Sequence, residues 1–445
     1  MSEREAVYEA LLAYRKNPET IGASDAILNR FASEEHAKRS FVKKLYTGVV
    51  EEEILLDAVL DHFLKKPIRK SDTRARILLE MGAFQMLSMA VPDAAACDEC
   101  VKLARRKGLS GLSGFLNGVL RALARAKESG EVEKLIASFP IEVQASIPQW
   151  IADLWRKAYG EETAKALILA QKEEAPVTLR LMPNVTKEER DTVIRSVQEK
   201  GGEVTEGVLF PEVLRIRHAG DLREIYGYEE GLFAVQDEGA VLVTRAMGLQ
   251  GQETVLDVCA APGGKTLHAA ALLPKGRVIA CDVSSKKTDR IRENAKRLGI
   301  RNVEILERDA TKDDPALHEI ADVLLCDLPC SGLGVLTKKR DRKMRVREED
   351  LSSLVSLQKK ILQNVIRYLK PGGILVYSTC TLNPSENEEM AEFCENTLSL
   401  KPDAFPEEEP FRTLCKESGK DHFLQLFPHR HHTDGFFAAR FRKEG

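Results

Sequence analysis

Nowhere in the 445 residues does an apolar run approach the roughly 20 residues that a membrane helix needs, so no transmembrane span is expected. The opening segment is charged and amphipathic and lacks the apolar centre of a signal peptide, which predicts a cytoplasmic protein. The nine cysteines have no regular spacing, which excludes a disulfide scaffold and predicts free thiols. Neither sign of charge dominates: 66 Lys and Arg stand against 69 Asp and Glu, a net charge of -3. Nucleic-acid binding must then rest on a local patch, and Lys338, Lys339, Arg340, Arg342, Lys343, Arg345 and Arg347 form one, expected to hold RNA phosphates. Internal repeats and long low-complexity segments are also missing. What remains is an ordinary soluble composition, 43% hydrophobic and 30% charged, at a length that calls for two or three domains.

From Ser2 to about Ala126 the apolar period is helical, as in Ile54, Leu55, Ala58, Val59 and Phe63, or Leu78, Leu79, Phe84 and Leu87. An all-α bundle over residues 1–130 is predicted, closed by the charged Lys127 to Glu131 stretch. Residues 131–232 open with a helix behind Pro148 and continue with a strand at Val177, Leu179 and Leu181. Thr186 with Glu189 makes a capping box for a helix that stops at Gly201-Gly202, and Val213 to Ile216 reads as a further strand. This pattern suits a small α+β module. Over residues 233–445 strands at Thr254–Val258, Arg277–Cys281, Val303–Leu306, Val323–Cys326 and Ile374–Tyr377 alternate with helical stretches, the pattern of an α/β doubly wound, Rossmann-like parallel sheet.

The strand that ends at Asp257 runs into Cys259-Ala260-Ala261-Pro262-Gly263-Gly264-Lys265, a glycine-rich turn opening a helix at the carboxyl edge of the sheet, where such folds bind ligands. Gly263 and Gly264 permit close backbone approach, and Lys265 adds positive charge near a ligand carboxylate. Gly264-Lys265-Thr266 ends like a P-loop, but Cys259 occupies the place of its first glycine, and no G-x-G-x-x-G pattern supports a nicotinamide dinucleotide. Asp282, about 25 residues after Asp257, stands where an acid meets ribose hydroxyls in doubly wound folds. Asp309 is placed to accept from an adenine edge.

Two cysteines close later strand-like runs: Cys330 in Asp327-Leu328-Pro329-Cys330-Ser331-Gly332 and Cys380 in Ser378-Thr379-Cys380-Thr381. Such a pair suits methylation at C5 of cytosine, a carbon of little nucleophilicity. A thiolate added to C6 makes C5 enamine-like, which splits one difficult step into easier ones. Asp327, protonated or sharing a proton with N3, stabilises the charge that develops, and the second thiol assists loss of the C5 proton or release by elimination.

These motifs, with Gln236-Asp237-Glu238 and Pro384-Ser385-Glu386-Asn387, resemble the RNA cytosine-C5 methyltransferases that use S-adenosylmethionine. The first 130 residues resemble the NusB-like fold through Arg4 to Leu12, Val91-Pro92-Asp93 and Phe115 to Arg121, and the whole chain is similar to the RsmB/Sun family that acts on 16S ribosomal RNA. The resemblance implies Cys380 as covalent nucleophile and Cys330 as the thiol that assists product release. It implies donor contacts by Cys259 to Lys265, Asp282, Asp309 and Asp327. It also implies an RNA partner, 16S rRNA free or in an early assembly intermediate, and a monomer. Three positions depart from the family pattern: Met182 where asparagine is common, Leu328 where alanine is common, and Arg340 inside a segment of Lys-Pro-Asp type.

Two metal-like signals carry little weight. Cys97 and Cys100 have no second pair, and His429, His431 and His432 precede a loop entering the last strand, so no metal site is expected. The rival functions are methylation of another RNA, a non-catalytic ribosome-assembly factor that keeps the fold as an RNA platform, and methylation of DNA cytosine or an adenine amino group.

Overall fold

A computed structural model describes residues 2–16, 28–29, 36–64, 73–89 and 91–445, and the remaining parts of the predicted N-terminal bundle lie outside the described residues. The chain forms two compact units: Met1–Lys172 together with Lys339–Glu348, and Glu173–Lys338 together with Glu349–Gly445. Among the described residues no helix is long and apolar enough to cross a membrane.

The first unit is helical, as its period predicts. Helices Glu3–Lys16, His36–Glu51, Glu53–His62, Asp93–Arg106 and Ser113–Glu128 share one core with Thr73–Leu87. Thr73–Leu87 buries Ala75 and every residue from Ile77 to Met86, so Glu80 and Gln85 lie inside together with the apolar positions of its helical period. Leu11, Leu45, Leu56, Leu78 and Leu120 are fully buried in that core.

The second unit contains two sheets. The smaller orders its strands β2-β3-β1-β4, with β1 Val177–Leu181, β2 Glu203–Glu206, β3 Val213–Arg217 and β4 Phe233–Val235, every neighbour antiparallel. Leu179, Leu181, Leu214, Ile216 and Phe233 meet Val193 and Val197 of the helix Lys187–Glu199. The sequence showed β1 and β3 but not the short β2 and β4.

The larger sheet contains β5 Thr254–Asp257, β6 Arg277–Asp282, β7 Val303–Glu307, β8 Ala321–Asp327, β9 Leu369–Thr379, β10 Lys401–Pro402, β11 Phe423–Gln425 and β12 Phe437–Arg442. Its order is β10-β12-β9-β8-β5-β6-β7, with β11 also on β12. Strands β5 to β9 are parallel, and their alternate residues are buried on both faces: Val255, Val278 and Val323 on one, Leu256, Ile279 and Leu324 on the other. The expected all-parallel sheet is corrected at one edge, where β12 pairs antiparallel with β9, β10 and β11. An antiparallel neighbour needs no helical crossover, so this edge left no βαβ signal in the sequence. The chain runs outward through β6 and β7 and returns to β8 beside β5, which makes the carboxyl ends of β5 and β8 the switch point where doubly wound folds bind ligands.

Both halves of the capping box form: the Thr186 hydroxyl accepts from Glu189 N, and Glu189 accepts from Thr186 N. Thr186→Ala is expected to destabilise this unit by about 1 kcal/mol in urea unfolding. No change in the midpoint would show that the cap is dispensable.

Candidate active site

At the carboxyl edge of β5, Asp257 is buried and accepts from the Thr266 hydroxyl at 2.6 Å and from Cys259 N at 3.3 Å. Burial pushes this carboxyl up to about 7 against the Thr266 hydrogen bond, with the charge of Asp327 adding to the rise. The turn that follows reaches Gly263 at φ +103°, a conformation that glycine tolerates, and Gly263 opens the helix Gly264–Ala271 without a side-chain cap. Nothing comes closer than 4.0 Å to the place where a Cβ on Gly264 would stand, so the helix start is open to a ligand.

Asp282, the last residue of β6, holds this turn in place. It accepts from Ala261 N at 3.0 Å and Val283 N at 2.7 Å, and Lys287 lies 3.1 Å away. Its carboxylate keeps lone pairs for a ligand hydroxyl. Asp309, two residues past β7, accepts from Thr311 N at 3.0 Å and Thr311 Oγ1 at 2.7 Å, and these hydrogen bonds hold it below the usual carboxylate range. Cys259 is half-buried, and burial followed by the charges of Asp257, Asp282 and Asp327 pushes its thiol up, so it stays protonated.

Strands β8 and β9 carry the candidate catalytic residues. Their register sets Asp327 opposite Ser378, and Ser378 Oγ donates to Asp327 Oδ1 at 2.8 Å. Lys265, expected beside a ligand carboxylate, donates to Asp327 Oδ2 at 2.7 Å, with its Nζ 5.0 Å from the Phe436 ring. Burial works to lower the Lys265 pKa, but Asp327 and then Cys380 outweigh it, so the group stays an ammonium. The sulfurs of Cys330 and Cys380 are 3.5 Å apart, too far for a disulfide. The other cysteines behave as inert packing: Cys326 and Cys394 are fully buried with their thiols pushed up, and burial raises Cys281 to about 12.

Glu386, within Pro384-Ser385-Glu386-Asn387, pins the loops that follow both cysteines. Glu386 is fully buried and accepts from Ser331 N at 2.9 Å, Gln358 Nε2 at 2.9 Å and Asn383 Nδ2 at 3.0 Å. Ser331 also meets Thr381 Oγ1 at 2.6 Å, so Glu386 ties the loop after Cys330 to the loop after Cys380. An acid directly after Pro384-Ser385, so close to a strand end, was the available signal.

The basic run also makes contacts within the protein. Lys338 pairs with Asp237 and Asp434, buried Lys343 donates to Ala145 O at 3.0 Å, and Arg345 pairs with Asp341 at 2.8 Å over the Tyr14 ring. Arg340, Arg342 and Arg347 are engaged as well. Residues Lys339–Glu348 belong to the helical unit. Of the departures, Leu328 is buried in the core, and the Met182 sulfur lies 3.6 Å from Arg180 Nη1. His431 holds its turn, accepting from Phe427 N at 2.8 Å and facing Glu417 at 3.2 Å.

A doubly wound domain with this switch-point turn and two thiols at adjoining strand ends defines a methyltransferase class, and the comparisons specify it. Residues 244–442 match the family described as 16S rRNA methyltransferase RsmB/F, residues 1–125 the NusB family, and residues 147–223 the RsmF/B-like ferredoxin-like domain. A probable ribosomal RNA small subunit methyltransferase B from Synechocystis is 34% identical over 91% of both chains. One from Bacillus subtilis is 32% identical over 100% of this chain and 99% of its own. The crystal structure of PH0851 shares the fold over 99% of this chain and 98% of its own, with a TM-score of 0.75 at 24% identity. A methyltransferase homolog from Pyrococcus horikoshii covers 68% of this chain and 97% of its own, with a TM-score of 0.56 at 27% identity. The chain belongs to the RsmB/F family and is an S-adenosylmethionine-dependent rRNA methyltransferase.

Because the folded state holds the Asp257 proton up to about pH 7 and an unfolded aspartate loses it near 3.9, this group's contribution to stability is lost as pH rises from about 4 to about 7. Asp257→Asn is expected to gain melting temperature relative to the wild type between pH 5 and pH 8. Parallel melting curves at both pH values would contradict it.

Proposed function

We propose that the protein transfers a methyl group from S-adenosylmethionine to C5 of a cytosine in 16S rRNA, through a covalent bond between Cys380 Sγ and C6 of the base. The observation that supports this most strongly is the meeting of two cysteine sulfurs 3.5 Å apart beside the Lys265–Asp327 ion pair. A single nucleophile would explain one cysteine. A second thiol in contact with it suits a reaction that must also undo its own covalent bond.

The residues of the turn fit the methyl donor. The open start of the helix at Gly264 would receive the methionine portion, Asp282 the ribose hydroxyls and Asp309 the adenine edge, while Asp327 closes the site towards the base. When bound, S-adenosylmethionine supplies an electrophilic methyl group. The protein's own part begins with Lys265, which keeps positive charge where a thiolate nucleophile needs it. Cys380 adds to C6 and gives up its thiol proton, which Asp327, held by Lys265 and Ser378, takes and shares with N3. After methylation Cys330 assists removal of the C5 proton, and the Cys380–C6 bond breaks by elimination. The base must leave its stack to reach this edge.

In this reading residues 1–130 bind RNA, residues 131–232 link and contact it, and residues 233–445 carry out catalysis. The enzyme works as a cytoplasmic monomer on free 16S rRNA or an early assembly intermediate. The test is nucleoside mass spectrometry of 16S rRNA from cells lacking the gene after incubation with enzyme and donor. Wild type should generate 5-methylcytidine, and Cys380→Ala should lose at least about 10⁴-fold in rate. Cys330→Ala should stop near one turnover with RNA retained on the protein. A Cys380→Ala variant that methylates at the wild-type rate, or a product other than 5-methylcytidine, would overturn the reading.

A further inference from the structure

Beside the two thiols lies a charge cluster that the methyl-transfer chemistry does not use. Lys338 Nζ bridges two carboxylates, Asp237 and Asp434, and its distance to Asp434 Oδ2 is 3.2 Å. Asp237 caps the helix Glu238–Arg245 by accepting from Gly239 N at 2.8 Å, and also accepts from Asp434 N at 3.3 Å. Thr337 Oγ1 donates to Asp434 Oδ1 at 3.4 Å. Three distant stretches of chain therefore meet at one ammonium.

From this cluster the contacts lead directly to the nucleophile. Gly435, next to Asp434, donates its N–H to Gly334 O at 2.7 Å, and Gly334 donates its own to Cys380 O at 3.0 Å. The backbones are so close that a Cβ on Gly334 would stand 2.0 Å from Gly435 O and 2.9 Å from Cys380 O. Phe436 packs against Gly239, where a Cβ would stand 2.3 Å from its ring, and lies under the Lys265 ammonium. The turn from Asp434 to Phe436 thus touches Gly334, which bonds to the Cys380 carbonyl, and the Lys265 ammonium.

Electrostatics makes Lys338 the piece on which this arrangement depends. Burial, followed by the charge of Asp237, pushes Asp434 up to about 7, against the pull of Lys338. With the ammonium gone, buried Asp434 would face the half-buried Asp237 without the positive charge that now lies 3.2 Å from it.

We propose that Lys338, clasped between Asp237 and Asp434, is a positioning residue for methyl transfer, holding the turn Asp434–Phe436 against Gly334 and Lys265 and so fixing where the Cys380 sulfur stands. This rests on the reading of Cys380 as the nucleophile. It differs from an RNA-phosphate role for Lys338 in what its removal changes.

The test compares full-length Lys338→Met and Lys338→Arg with wild type. It measures kcat and KM on 16S rRNA, S-adenosylhomocysteine affinity by calorimetry, and the rate at which iodoacetamide alkylates Cys380 without RNA, located by peptide mass spectrometry. Lys338→Met should lower kcat by about 100-fold, the size expected for a misplaced reacting group. The KM for RNA and the affinity for S-adenosylhomocysteine should stay within about twofold. Cys380 alkylation should change rate in Lys338→Met, and Lys338→Arg should restore both kcat and alkylation. A raised KM with unchanged kcat and a shallower salt dependence would make Lys338 a phosphate contact and overturn the proposal. Loss of S-adenosylhomocysteine binding together with kcat would reduce Lys338 to a folding role and overturn it as well. Should Cys380→Ala keep full methyl transfer, the nucleophile reading fails, while the alkylation rates still decide whether Lys338 sets that sulfur.

Discussion

The parallel register that sets Asp327 opposite Ser378 is the constraint from which the rest of the site follows. Because β8 and β9 end level with each other, the loops that leave them start side by side. Cys330, three residues beyond Asp327, then meets Cys380, two residues beyond Ser378. A slip of one residue would turn alternate side chains to the opposite face and part the two thiols. Lys265 joins from the helix after β5, the strand next to β8, so three adjoining parallel strands deliver a cation, a carboxylate and two sulfurs to one edge.

Holding that edge costs buried polar groups, and the structure satisfies them one by one. Glu386 accepts from the backbone of one cysteine loop and, through Asn383 and Thr381, orders the other. Asp257, raised to about 7, accepts a threonine hydroxyl, and Asp282 accepts from Ala261 N of the glycine-rich turn and from Val283 N. Buried polar networks of this kind add little net stability. Their effect here is geometric: each restricts where a loop can lie, and the loops carry the reacting atoms.

Much of this was legible in the sequence where a period or a local motif carries the information. The strand that ends at Asp257, the capping box at Thr186 and Glu189, and the helical period of Leu78 to Leu87 all depend on neighbours in the chain. Both cysteines stood out because each follows a strand and precedes small or polar residues. What escaped was non-local. Asp237, Lys338 and Asp434 lie about 100 residues apart in turn, and no spacing rule joins them. Lys338 is legible only as one cation among seven, and nothing in the run shows that Lys343 is buried or that Arg345 is paired. Strands as short as Phe233–Val235 show no alternation, and β12 is identified by its partner β9 more than by its own pattern.

The central claim is that the Cys380 sulfur bonds to the target base, and the most direct measurement is peptide mapping of the protein after incubation with methyl donor and 16S rRNA transcribed with 5-fluorocytidine. Fluorine at C5 cannot leave as a proton does, so the covalent intermediate is held. The account predicts a nucleotide-modified peptide carrying Cys380. A stable adduct on Cys330 instead, or methylated RNA with no adduct on either cysteine, would contradict it.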